Sequence, residues 1–93
     1  MPSQIERHTF TRDAEHPEMR DDESVTIRPI YYRAGVTMYC DVAVATGGML
    51  LILTFKWMPK TDRAVRVDDN GTIRPRLFEV VKTEVTNAFR ERL

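Results

Sequence analysis

The chain has 93 residues, 42% hydrophobic and 30% charged, which suits one small globular domain and excludes a collagen, a disulfide scaffold and a multi-domain enzyme. Lys plus Arg and Asp plus Glu each number 14, so the formal net charge is zero. That zero is a cancellation: residues 1–23 hold seven acids and three bases, a net of −4, and residues 24–93 carry the compensating +4.

Cys40 is the single cysteine, so no intramolecular disulfide forms and a reducing, cytoplasmic compartment is expected. The first 12 residues include Glu6, Arg7 and Arg12 and no apolar run, unlike a secretory signal. The longest uncharged stretch, Val42 to Phe55, is 14 residues and is interrupted by Gly47-Gly48. A membrane-spanning helix needs about 20, so no membrane contact is expected.

In chain order, residues 1–23 read as an acidic, flexible leader. Ile5, Phe10 and Met19 are isolated in it, too few to offset an ordering entropy of about 1–2 kcal/mol per residue. The leader is therefore expected to be largely disordered, save a short edge strand at Thr9-Phe10-Thr11 and one helical turn opened by Pro17. Residues 24–93 read as a single α+β domain. Its first strand, about 25–33, is rich in β-branched and aromatic residues, and Pro29, which lacks an N–H, places it at a sheet edge. From Val36 to Ala45, Val36, Met38, Cys40, Val42 and Val44 alternate with more polar or smaller residues, a period of two. Gly47-Gly48 forms a hairpin turn into a third strand, about 49–57, whose apolar run Met49–Leu53 asks for burial on both faces. A fourth strand, about 64–68, is expected to return through Asp69-Asn70-Gly71 to residue 74 as a short hairpin. Residues 75–92 read as a helix entered at Pro75, with Leu77, Phe78, Val81, Val85, Ala88 and Phe89 on one stripe. The expected fold is a three- to four-stranded antiparallel meander with one C-terminal helix on one face. The other face of the third strand, with Leu50 and Ile52, then needs a cover: the leader, a second copy or another protein.

Few residues suit catalysis. His8 and His16 both fall in the leader, where His16 beside Glu15 and Glu18 has the donor types of a weak metal site without its fixed geometry, so both read as solvated side chains. With no histidine in the body, a Ser-His-Asp or Cys-His arrangement lacks its base. Cys40 is in phase with the apolar face and reads as an inert core thiol. Asp41 points the other way, and Asp68-Asp69 reads as turn chemistry. Gly47-Gly48 lies between strands, not before a helix, so it is no phosphate loop. Asn70-Gly71-Thr72 matches a glycosylation sequon that has no secretory context. No catalytic residue, metal or cofactor is expected.

Two binding readings follow. The first is a non-enzymatic protein-binding module, an accessory subunit or small inhibitor docking on a larger assembly or pairing as a homodimer. Stand-alone proteins of this kind are frequent among phage and mobile-element products. Its contact face would hold Tyr32, Tyr39, Leu50 and Ile52, rimmed by Lys56 and Arg66. The second is nucleic-acid binding through the basic 56–76 region: Lys56, Lys60, Arg63, Arg66, Arg74 and Arg76, with Trp57 and the pair Tyr31-Tyr32 as stacking faces.

Overall fold

The computed structural model describes residues 8–93. Six strands and one helix follow in chain order: β1 (His8–Thr11), β2 (Ser24–Ile27), β3 (Tyr31–Arg33), β4 (Thr37–Thr46), β5 (Met49–Met58), β6 (Arg63–Arg66) and α1 (Pro75–Arg92). All pairings are antiparallel, in the order β1-β2-β4-β5-β6, with β3 also on β4. The α+β class, the antiparallel sheet and the C-terminal helix agree with expectation. The three or four strands expected become six.

The centre is the β4–β5 hairpin. Gly47 and Gly48 take φ of 57° and 80°, and Thr46 pairs with Met49 around them. Two positive φ values in a two-residue loop match the twist of the strands it joins. Val42, Val44, Leu53 and Phe55 point to one side and are fully buried. The helix closes that side with Leu77, Val81, Val85 and Phe89, spaced four apart and all fully buried. Each such side chain contributes roughly 1.5–3 kcal/mol of transfer free energy. Trp57 joins this layer, its ring 5.5 Å from that of Phe89. No helix among the described residues is long and apolar enough to cross a membrane.

The expected first strand is broken in two. Ile27 lies opposite Val42 and Tyr31 opposite Tyr39, so Arg28, Pro29 and Ile30 stand against Cys40 and Asp41. One extra residue makes a bulge and reverses the facing of everything after it. The bulge is pinned from β4: the Arg28 N–H donates to the Asp41 carbonyl at 3.0 Å, and the Cys40 thiol donates to the Arg28 carbonyl at 3.4 Å.

The expected hairpin through Asn70-Gly71 does not form. β6 pairs with β5 over Phe55–Met58, and residues 67–71 then run on beside β5 without returning. The Asp68 carboxylate accepts from the Thr54 N–H at 2.7 Å, and the Asn70 amide donates to the Ile52 carbonyl at 2.8 Å. Two side chains thus occupy edge groups that a strand would have paired. Gly71 closes the segment with φ of 130°, and a Cβ there would meet Leu51 at 3.3 Å.

The leader is also ordered over its described part, contrary to the expectation of disorder. β1 adds to the sheet edge, Met19 is buried in the core, and residues 12–23 lie on the helix side. The composition estimate counted only the segment's own apolar residues. Its order comes from partners far along the chain: Glu23 with Arg74, and His16 with Glu84. Ile5 falls outside the described residues.

Candidate functional site

Helix and leader both cover one face of the sheet. The other face is made by alternate residues of every strand, and its composition follows from strand register. Ala45 lies opposite Leu50, Ala43 opposite Ile52, Asp41 opposite Thr54 and Tyr39 opposite Lys56. On the flanks, Ser24 and Thr26 extend the alanine rows, while Tyr31 and Val65 extend the Tyr39–Lys56 row. Leu50 is 68% exposed, and Ala43, Ala45, Ile52 and Thr54 are half-buried although no described residue packs above them.

The centre of this face carries one carboxylate, Asp41, and its polar groups are hydrogen-bonded to one another. Asp41 accepts from the Tyr31 hydroxyl at 3.0 Å and the Thr54 hydroxyl at 2.9 Å. Thr9 and Thr26 satisfy each other through their hydroxyls at 3.1 Å. Cations gather at one end: Lys56 and Arg63, with Arg33, whose guanidinium lies 5.6 Å from the Tyr39 ring centroid. The Tyr31 and Tyr39 rings stand nearly parallel, 5.9 Å apart.

Three of the four residues expected on this face, Tyr39, Leu50 and Ile52, lie together on it. Tyr32 does not. It pairs with core Met38 and projects on the helix side. The bulge at Pro29 exchanges it for Tyr31. Of the expected rim, Lys56 is on the face, while Arg66 lies opposite Phe55 on the helix side and grips Asp68.

The basic residues of 56–76 are dispersed. Trp57 is buried under α1. Arg74 is held by Glu23 and the Glu18 carbonyl, and Arg76 lies beside a cleft with Glu15, Glu18, Glu79 and Glu84. Lys56 and Arg63 share the bare face, and Lys60 is exposed in the turn between their strands.

The titratable clusters serve as anchors. His16 is buried, not solvated. Its Nδ1 lies 3.0 Å from Asp13 and its Nε2 2.9 Å from Glu84, so both nitrogens donate when the ring is protonated. The Glu84 and Asp13 hydrogen bonds raise its pKa against the opposing effect of burial. Glu23 accepts from Arg74 through Nε at 2.9 Å and through Nη2, from Thr46 at 2.8 Å and from the Arg20 N–H at 2.8 Å. The Arg74 bonds, above all, hold its carboxyl down at about 2. Burial pushes the Cys40 thiol up to about 12, far from the thiolate that nucleophilic chemistry needs. Among the described residues no three His, Cys, Asp or Glu side chains converge in a way that holds a metal.

Comparison with known protein families, curated proteins and solved structures returns no match. The site therefore rests on its own geometry. Sequence reasoning missed Tyr31 and Arg33 on this face, and Pro29 was the available signal, since a proline inside a strand marks a bulge as well as an edge.

Proposed function

We propose that the protein is a binding module, without catalytic activity of its own, that docks another protein chain through the sheet face away from α1. One observation carries the reading. Among the described residues the six strands are covered on one side only, and residues 12–23, which could have covered the other side, are bonded to α1 and its start instead. Leu50, Ile52, Ala43 and Ala45 are left as a contiguous, uncharged surface, the kind that marks protein contact sites on small domains. His16, Cys40 and Glu23 are each committed to internal bonds, which supports binding over turnover. The test is a photo-activated cross-linking residue at position 52, with position 83 on the exposed side of α1 as control, irradiated in cells producing the protein. A protein adduct from position 52 and none from position 83 is expected. Equal labelling from both positions, or none, refutes the reading.

A second reading has its own support in the cationic end of the same face. Arg33, Lys56 and Arg63 around the Tyr31–Tyr39 pair offer positive charge and aromatic surface to single-stranded nucleic acid. Such binding falls steeply with salt. A gel shift at low salt that disappears with Lys56→Glu and Arg63→Glu would favour it over protein docking.

A further inference from the structure

The geometry points to a second copy of this chain as the cover of the bare face, packed sheet on sheet about a two-fold axis. The axis runs between β4 and β5, parallel to both. This inference rests on the docking function proposed above and names its partner.

Size permits it. The molecule measures 38 × 34 × 21 Å, a flat two-layer slab whose broad side is the sheet. A side of that breadth offers on the order of 1,000 Å², and a stable interface takes about 800 Å² from each partner. Its flatness matters too. Four clefts of about 240–300 Å³ lie along α1 and within the leader, and none of the four is lined by residues of the bare face, so these offer no recess there for a foreign anchoring side chain. Another flat sheet needs none, because two sheets interdigitate at about 10 Å.

The side-chain pattern selects a copy over some other sheet. A two-fold interface must be self-complementary, residue i meeting residue j and j meeting i. Here β4 carries small residues and β5 large ones, row by row: Ala43 beside Ile52, Ala45 beside Leu50. Rotation about the axis between these strands sets each large side chain of one chain over the small one of the other, twice over. It also brings Lys56 over the copy's Tyr39, an ammonium against a ring face, and Val65 over the copy's Tyr31. Asp41 carries one carboxylate into the contact, held in place by hydrogen bonds from the Tyr31 and Thr54 hydroxyls. Packed sheets cross at about 30°, so the axis bisects the strand directions of the two copies, the central rows stay in register, and the corners of the face, where Arg33 and Arg63 stand, splay into solvent.

Sedimentation velocity on the purified full chain tests this. A species of twice the 10.8 kDa chain mass is expected at micromolar concentration. Ile52→Asp should weaken it at least about 100-fold with the far-ultraviolet circular dichroism unchanged, because an unpaired charge would be buried. Should Ile52→Asp unfold, Ala43→Ile decides. It sets large against large and should weaken the dimer, and adding Ile52→Ala should restore it. Thr83→Arg on the exposed side of α1 should change nothing. A monomer up to near-millimolar concentration overturns self-association and leaves the broader docking reading to the cross-linking experiment. A dimer indifferent to both Ile52→Asp and Ala43→Ile overturns the assigned face.

Discussion

His16 shows how one residue can be a stray polar group in sequence and a keystone in space. Its ring packs 5.0 Å from Phe10 of β1 and bridges Asp13 of its own loop to Glu84 of α1, so it joins sheet edge, leader and helix. The imidazolium satisfies both carboxylates. The neutral ring can donate to only one and turns a lone pair toward the other. Its folded pKa is raised. The stabilisation is therefore fully present below the ordinary histidine value and is lost as pH rises through the folded one. Glu15, Glu18, Glu79 and Arg76 line the same cleft and modulate the field, but both short contacts are with Asp13 and Glu84. Thermal stability is expected to fall between pH 6 and pH 9, with the His16 ring signal in NMR titrating above its ordinary midpoint. Glu84→Gln should cost about 1–2 kcal/mol at pH 6 and flatten that dependence. An unchanged pH profile in Glu84→Gln would remove His16 as its cause.

At the scale of elements, the side chains of residues 67–71 act as a strand substitute. Asp68 accepts from the Thr54 N–H, from Nε and Nη2 of Arg66 and from the Asn70 N–H, while the Asn70 amide donates to the Ile52 carbonyl. An open edge beside the apolar β5 would invite pairing with other chains, and this segment occupies it. Asp68→Ala is expected to cost about 2–3 kcal/mol, since it leaves the part-buried Thr54 N–H without its acceptor and the Arg66 guanidinium with the Gly71 carbonyl alone. Amide hydrogen exchange at Thr54 should accelerate more than at Val42 or Val44. Equal acceleration across the sheet would mean global loosening instead. The same segment shows what sequence could and could not disclose. Asp68-Asp69-Asn70 did mark a place where side chains bond backbone, and Asp68 does take the Asn70 N–H, but the other backbone groups bonded belong to β5, some 14 to 18 residues earlier. The period-two run of β4, the apolar run of β5 and the four-residue spacing of α1 were legible because each is a local pattern. The bulge was not. A single extra residue acquires meaning only against a partner strand's register, and that exchanged Tyr32 for Tyr31 on the candidate face.

For the molecule as a whole, the division into acidic leader and basic body becomes a set of internal bonds. Glu23 is buried between Arg74 at the start of α1 and Thr46 at the end of β4. Removing one member of a buried pair costs several kcal/mol, and burying Met19 contributes roughly 2 kcal/mol more. A domain of this size is stable by only about 5–10 kcal/mol. A chain starting at residue 24 is therefore expected to lose most of its cooperative thermal transition. An unaltered melting curve for that truncation would show that the leader is dispensable to the fold.

The Glu23–Arg74 and His16–Glu84 bonds join residues 51 and 68 positions apart. β1 can pair with nearby β2, but the 12–23 loop gains these two partners only once α1 is in place, so that loop becomes fixed structure late in folding although it lies far upstream of the helix.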